Sequence, residues 1–206
     1  NFFQASRTGF VGDQQNQSLR GMLTRLIGSV TGSEPAWLVL AVVVGVLGLA
    51  AAAALHNSGR TFAGLMAVAL TALLDSPISW DHHWVWIAPG LAVIIDAAVR
   101  AARGGAAAAR TWWLVLAGAV LAVYGAWPDF WSRTAGLLEG GLINYAPASS
   151  FASGDSPRYA EYHWHGLQLL AGNLYLLAGL GLFVVVLAAA VRLLRAHGAA
   201  ALLRWR

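Results

Sequence analysis

The apolar run from Ala36 to Leu55 constrains the fold of this chain more than any other feature. It carries no charge and consists almost wholly of Val, Leu, Ala and Gly. A helix of this length can cross the ~30 Å hydrocarbon core of a bilayer. Hydrophobic residues make up 58% of the chain and charged residues 11%, with a mean hydropathy of +0.61. These values predict a polytopic membrane protein and exclude a soluble domain.

Further hydrophobic segments follow this run. The sequence predicts an all-α integral membrane protein with about five transmembrane helices, at about 36–55, 61–74, 84–99, 111–127 and 166–191. We expect a transmembrane domain over 36–206, an extracytoplasmic segment with an amphipathic stretch over 1–35, and an extracytoplasmic loop over 128–165. Because the chain begins with Asn1 and not with Met, we expect it to be the C-terminal part of a longer protein.

The arginines predict the orientation, since all 13 basic residues are arginine. One set of loops and the tail from 192 hold Arg60, Arg100, Arg103, Arg110, Arg192, Arg195, Arg204 and Arg206. The opposite side holds fewer arginines and nearly all the acids, so the first side is predicted to be cytoplasmic. Asp96 precedes Arg100 by one helical turn and is expected to pair with it. Because the arginines form no single basic face, we predict no nucleic-acid partner despite a pI near 10.1.

The segment Ser76–Trp86 interrupts the apolar pattern and reads Ser-Pro-Ile-Ser-Trp-Asp-His-His-Trp-Val-Trp. Ionisable groups at membrane depth are costly, and its tryptophans are typical of a membrane–water interface. A histidine can donate to a phosphate oxygen and an aspartate can orient it, so Asp81, His82 and His83 are candidates for binding a phosphate or sugar. The alternative is hydrated groups at a helix start. Three such groups in a row favour the functional interpretation.

Two stretches of the long loop, Leu142–Pro147 and Glu161–His165, combine aromatic residues with hydrogen-bonding groups. Such combinations are typical of sites that bind sugars and lipid head groups. The candidate contacts to an acceptor or sugar are Trp80, Asn144, Tyr145, His163 and His165.

A metal site is the other interpretation of the histidines. Imidazole suits zinc or copper, and His163 and His165 could join His82 and His83. However, His-x-His lacks the i, i+3 or i+4 spacing of ligands on a helix, and the sequence does not bring the two loops together. We therefore predict no metal and no cofactor. Without cysteine, the chain can form neither a disulfide nor a thiolate metal site.

Near the start of the chain, Asn16-Gln-Ser-Leu-Arg-Gly21 leads into an amphipathic stretch with Leu19, Met22, Leu23 and Leu26. This spacing favours a helix lying along the outer surface. The alternative is a substrate groove in which Arg20 and Arg25 contact an anionic lipid head group.

Together these motifs resemble a known family. The Ser76–Trp86 segment, preceded by Asn16-Gln-Ser-Leu-Arg-Gly21 and followed by Glu161-Tyr-His-Trp-His165, resembles the actinobacterial polyprenol-phosphate-mannose-dependent α-mannosyltransferases of glycosyltransferase family 87. These are membrane enzymes of the GT-C type. The resemblance covers the whole chain as their C-terminal half, and Trp-x-His-His-Trp is its most specific element.

The resemblance implies transfer of mannose from a lipid-linked donor to a glycolipid or lipoglycan acceptor, outside the cell membrane and usually through α-1,2 linkages. It implies phosphatidylinositol mannosides, lipomannan and lipoarabinomannan as acceptors. The base of GT-C enzymes is typically an acidic residue of the first extracytoplasmic loop, which this chain lacks, so the catalytic base is unassigned. His82 and His83 are the implied donor-phosphate contacts, supported by Asp81 and then by Arg20.

Two alternatives stay open on the sequence alone. A related transferase would take polyprenyl-phosphate-arabinose as donor in place of mannose. A non-catalytic lipid or sugar transporter would carry ionisable groups near mid-membrane in broken helices. The ionisable groups here are predicted at the outer edge, which favours chemistry on a lipid-anchored substrate.

Overall fold

A computed structural model of the chain describes residues 10–125 and 161–197. Its helices are α1 (Leu19–Ile27), α2 (Val30–Asn57), α3 (Thr61–Asp75), α4 (Ile87–Arg103), α5 (Ala107–Val120), α6 (Leu167–Gly172) and α7 (Leu174–His197). A 3₁₀ turn over Asp81–Trp86 leads into α4, and a π turn over Leu121–Gly125 follows α5. Within the described residues there is no strand beyond an isolated bridge between Asn16 and Trp80, which confirms the all-α prediction.

Four described helical segments are long and apolar enough to cross a membrane: Val30–Asn57, Asp81–Arg103, Ala107–Tyr124 and Leu174–Ala196. The chain is therefore a multi-pass membrane protein. Helix α3 has 15 residues, which gives a length of about 22 Å and is short for a full crossing.

Several helix boundaries differ from the predicted segments. Helix α2 begins at Val30 and not at Ala36, because the Ser29 hydroxyl accepts from the Gly32 amide and caps the helix earlier. The third segment begins with the turn at Asp81 and not at Trp84, so the ionisable residues belong to the first turn of a spanning segment. The last segment is divided at Asn173 into α6 and α7.

Helices α2 and α3 pack closely because small residues line their interface. A Cβ on Gly48 would overlap the Thr71 side chain, and a Cβ on Gly64 would lie 2.9 Å from the Ala52 carbonyl oxygen. Small residues at these positions allow two backbones to approach in a membrane protein. Helix α7 completes the core with Leu176 and Phe183, and the Trp84 ring lies against Gly179.

Charged residues are distributed between the two ends of this bundle. Arg60 lies in the loop between α2 and α3, and the adjoining ends of α4, α5 and α7 carry Arg103, Arg110 and Arg192. At the same end, Arg100 contacts Asp96 one turn earlier on α4, which confirms the predicted ion pair. We call this the arginine end. The opposite end holds α1 and the turn at Asp81.

Candidate functional site

The Ser76–Trp80 loop is held in place by buried polar residues that precede α1. Asn16, Gln17 and Ser18 are fully buried, and we call them the polar clamp. The Asn16 side chain donates to the Pro77 carbonyl (3.2 Å) and accepts from the Ser79 amide (2.9 Å). The backbone amide of Gln17 donates to the Ser79 carbonyl at 2.8 Å. The loop that leads to Asp81 is thus fixed by hydrogen bonds from a distant part of the chain.

The polar clamp also contacts the break between α6 and α7. Gln17 Nε2 donates to the Gly172 carbonyl at 2.8 Å, and Gln17 Oε1 accepts from the Leu176 amide at 3.4 Å. These bonds satisfy backbone groups that the interruption of the helix leaves unpaired. One glutamine therefore joins the Ser76–Trp80 loop to α7.

Arg25 is part of this assembly and is only 1% exposed. Its guanidinium donates to the carbonyls of Asp13 (2.6 Å) and Asn16 (3.1 Å) and to Asn173 Oδ1. Burial lowers the pKa of Arg25 to about 10, against the opposing effect of the negative charges of Asp13 and Glu161. Because both terminal nitrogens of its guanidinium are bonded to the protein itself, Arg25 has a structural role. The alternative in which Arg25 contacts a lipid head group in a substrate groove does not agree with these bonds.

Arg20 is also buried, at 3% exposure. Its guanidinium lies 4.7 Å from the centre of the Trp37 ring, and Arg20 Nη2 lies 3.8 Å from Glu34 Oε1. Leu19 is buried and Met22 and Leu23 pack against the core, whereas Leu26 is exposed, and the position of this helix along the outer surface stays a prediction. Helix α1 also buries both of its arginines. The reason is that neighbouring elements supply partners for the two arginines. A phosphate contact by Arg20 stays a prediction.

The two histidines of the turn at Asp81 are exposed at the protein surface. The His82 side chain is 71% exposed, and His83 is exposed as well. Asp81 Oδ1 accepts from the His82 amide at 2.7 Å and lies 3.3 Å from His82 Nδ1. The two imidazole rings meet edge to face, with centroids 4.6 Å apart. When His82 Nδ1–H donates to Asp81, the other ring nitrogen, Nε2, is left for a ligand.

An aromatic cleft begins beside His82. Its wall is built from Trp84, Tyr124 and Tyr175, with Trp84 stacked on Tyr124 at 5.4 Å and 16°. The Tyr124 hydroxyl donates to the Tyr175 carbonyl at 2.6 Å, which fixes the end of α5 against α7. Asp81 and His82 form the polar rim, and the other lining residues are apolar: Val85, Ile87, Ala88, Leu91, Val120 and Leu121.

A second groove lies on the other side of His82. His82 and His83 line it together with Ser76 and Ser79, and the rest of its wall is mainly apolar residues of α3. We call it the α3 groove. His82 thus stands between two apolar grooves at the point where each becomes polar. This arrangement can hold the charged head of a lipid while its chain lies against apolar side chains.

Sequence reasoning missed Tyr124 and Tyr175. Each is the one tyrosine of a predicted apolar segment, and this feature could have marked it as a candidate site residue. Their contact joins positions 51 residues apart in the chain, so spacing alone could not pair them.

The remaining predicted contacts are only partly described. Asn144 and Tyr145 lie outside the described residues. His163 and His165 are exposed and flank the buried Trp164, and His165 Nδ1 lies 2.9 Å from the His163 carbonyl oxygen. Trp80 is half-buried and bridges to Asn16 through its backbone. Their roles as sugar contacts stay predictions. Within 10–125 and 161–197, no three His, Asp or Glu side chains are grouped so as to hold a metal ion.

Comparison with known proteins agrees with the resemblance found in the motifs. Residues 1–77 match the model of glycosyltransferase family 87. This match contains the polar clamp, α2 and α3, and it ends before Asp81. It confirms the predicted resemblance to that family.

Similar proteins come from mycobacteria. The chain is 41% identical over 112 residues to a polyprenol-phosphate-mannose-dependent alpha-(1-2)-phosphatidylinositol pentamannoside mannosyltransferase of Mycobacterium tuberculosis (strain CDC 1551 / Oshkosh), covering 54% of this chain and 26% of the relative. It is 37% identical over 100 residues to the protein of the same name from Mycolicibacterium smegmatis (strain ATCC 700084 / mc(2)155), covering 48% and 24%. The alignments thus span about a quarter of the length of these relatives. No solved structure matches the chain.

Proposed function

We propose that this chain is part of a family 87 membrane glycosyltransferase that moves mannose from polyprenyl-phosphate-mannose to a phosphatidylinositol mannoside, forming an α-1,2 linkage. The observation that carries the proposal is its similarity to mannosyltransferases of that donor and acceptor class, at 41% and 37% identity. The structure adds a surface that fits a lipid-linked donor.

The fit concerns the two parts of such a donor. Its polyprenyl chain is apolar, and the aromatic cleft and the α3 groove each offer an apolar wall. Its phosphate is anionic and would lie at the polar rim, where His82 and His83 are exposed. With Nδ1 of His82 donating to Asp81, Nε2 is the ring nitrogen that can donate to a phosphate oxygen when the imidazole is protonated.

The chemical role of the histidines follows from the charge that develops during transfer. The acceptor hydroxyl oxygen bonds to the anomeric carbon as the bond from that carbon to the phosphate oxygen breaks. The electron pair of the broken bond leaves with the polyprenyl phosphate, so negative charge grows on the oxygens nearest His82 and His83. Hydrogen-bond donors fixed at that position lower the barrier. We assign no base for the acceptor proton among the described residues.

We further propose that the site faces the extracytoplasmic side of the cell membrane. The arginine end carries Arg60, Arg100, Arg103, Arg110, Arg192 and Arg195, whereas the acids Asp13, Glu34, Asp81 and Glu161 belong to the opposite end. This asymmetry supports an arginine end in the cytoplasm.

A transfer assay tests the proposal. Membranes containing the full-length protein that carries this chain are given radiolabelled polyprenyl-phosphate-mannose and a phosphatidylinositol mannoside acceptor. We expect label in the acceptor, and a loss of about 100-fold or more in the His82→Ala variant, the scale of removing one fixed donor to developing charge. His83→Ala is expected to reduce transfer as well.

His56→Ala is the matched control, because His56 is an exposed histidine on α2 at the arginine end. It should transfer at the wild-type rate, and all variants should insert equally. Full activity in both the His82 and the His83 variants would refute the phosphate-binding role while leaving the enzyme class intact. Transfer of arabinose and not mannose would refute the proposed donor.

A further inference from the structure

A third apolar cavity lies among the helices and reaches the arginine end of the bundle. It is bounded by α3, α4, α5 and α7, with walls formed by Leu70, Leu73, Ile94, Trp113 and Val186 among others. Along α4 it extends from Trp86 to Arg100, which corresponds to about 20 Å at the rise of a helix. One leaflet contributes about half of the ~30 Å hydrocarbon core, so the cavity is long enough for a lipid chain of one leaflet.

Charge is confined to one end of this cavity. Of the residues that line it, the charged ones are Arg60 and Arg100, and all others are apolar. Arg100 contacts Asp96, whereas the side chain of Arg60 has no hydrogen bond or ion pair with the described residues. Both arginines line the same end of the cavity. With one arginine neutralised by Asp96, the mouth keeps a net charge that matches a single phosphodiester.

We propose that this cavity binds an anionic membrane phospholipid, with an acyl chain along α4 and the phosphate between Arg60 and Arg100. A cavity with an entirely apolar wall and cations at one end fits a lipid with a single anionic head group. Such a lipid would also hold α3 against α4, because this short helix has an apolar side facing the cavity.

A polyprenyl-linked donor is the other lipid to consider. Its phosphate would have to lie at the opposite end, near Trp86 and the histidines, where the cavity adjoins the α3 groove. Arg60, at the far end, would then be left without an ion-pair partner among the described residues. The charges therefore favour a phospholipid from the leaflet at the arginine end.

Glycine positions provide a test that leaves the fold intact. Gly90 lines the cavity, and a Cβ added there would meet no atom within 4 Å, so Gly90→Met should fill the space without a clash. Gly118 on α5 is equally open but is exposed and does not line the cavity, so Gly118→Met is the matched control. For charge, Arg60→Gln is paired with Arg103→Gln, an exposed arginine of the same end that lies outside the cavity.

The experiment uses the full-length protein in phosphatidylcholine vesicles that contain a small fraction of a photoreactive lipid, with a diazirine on one acyl chain. Mass spectrometry then measures labelling of the cavity-lining peptides of α3 and α4. We expect phosphatidylglycerol to label them at least ~fivefold more than phosphatidylcholine does. In the Arg60→Gln variant this labelling ratio should fall about fivefold. Gly90→Met should abolish the specific labelling, and both controls should retain it.

Other outcomes overturn the proposal. Equal labelling by the two phospholipids would show a cavity without charge recognition. Stronger labelling by photoreactive polyprenyl phosphate would assign the cavity to the donor. An absence of label in the wild type, or labelling that Gly90→Met leaves unchanged, would show that another part of the protein fills the cavity. Melting temperatures of the variants confirm that each protein is folded.

Discussion

Arg25 shows how a charged residue can belong to the interior of a membrane protein. Its planar guanidinium bonds at once to backbone carbonyls of the preceding loop and to Asn173 at the break between α6 and α7. A lysine carries the same charge but has a single compact ammonium group, which cannot reach these acceptors in their fork-like arrangement. At this position the geometry of the side chain therefore matters as much as its charge.

We accordingly expect Arg25→Lys to lower the free energy of unfolding by about 2–4 kcal/mol, since buried acceptors would lose charged donors. Thermal unfolding of the purified protein in detergent measures the change. Arg103→Lys, an exposed arginine on α4, should unfold like the wild type. An unchanged melting temperature for Arg25→Lys would contradict the structural role assigned to this residue.

At the scale of elements, the pairing of α2 with α3 depends on glycine residues at their interface. Gly48 faces Thr71, whose hydroxyl donates to the Ala67 carbonyl at 2.7 Å and whose side chain is 4% exposed. Because Thr71 is buried and bonded, it cannot move aside for an added methyl group. The close approach of the two helices thus requires glycine at position 48.

This arrangement predicts opposite effects for two identical substitutions. Gly118→Ala should stabilise the protein by roughly 0.5–1 kcal/mol, because alanine is the better helix former and the space there is open. Gly48→Ala should destabilise it by about 1–3 kcal/mol, because overpacking outweighs the gain in helix propensity. Unfolding midpoints in detergent compare the two variants. Stabilisation by both would mean that α2 and α3 do not pack as described.

The spanning segments also depend on local caps and breaks. The third begins with Asp81, whose carboxylate accepts from the next backbone amide, that of His82. The last is interrupted at Asn173, whose side chain accepts a hydrogen bond from Arg25. Both features present polar groups where a continuous apolar helix would present none. The candidate site is consequently built from helix ends, where backbone groups and side chains can be used for binding.

For the whole molecule, the separation of charges between the two ends predicts its orientation. The chain contains no cysteine, so a thiol reagent can react within it only at a cysteine that has been introduced. Gln15, before α1, and His56, at the other end of the bundle, are both exposed. We expect a membrane-impermeant maleimide to label Gln15→Cys on spheroplasts, whereas His56→Cys should react only after permeabilisation.

The opposite labelling pattern would place the histidines in the cytoplasm. It would rule out transfer at the extracytoplasmic face and would reverse the leaflet that supplies the proposed phospholipid. Labelling of both variants on intact spheroplasts would instead indicate mixed insertion. The ratio of label before and after permeabilisation separates these cases.

The sequence by itself determined the properties that depend on local composition and spacing. The run Ala36–Leu55 is uncharged, and a backbone in hydrocarbon must satisfy its own hydrogen bonds, so the helical membrane class followed directly. The Asp96–Arg100 pair followed from one helical turn of separation. The histidine turn could be singled out as a candidate because ionisable groups are rare beside apolar spans.

Only the tertiary structure decided the roles of residues that meet across the chain. Arg20 and Arg25 could face a substrate or the interior, and their partners on α2 and at Asn173 placed them inside. The bond from Gln17 to Gly172 joins positions 155 residues apart, and no local pattern encodes such a contact. The aromatic cleft beside His82 likewise forms only when α5 and α7 converge on Trp84. Burial of polar groups is favourable only with partners, and the fold supplies those partners.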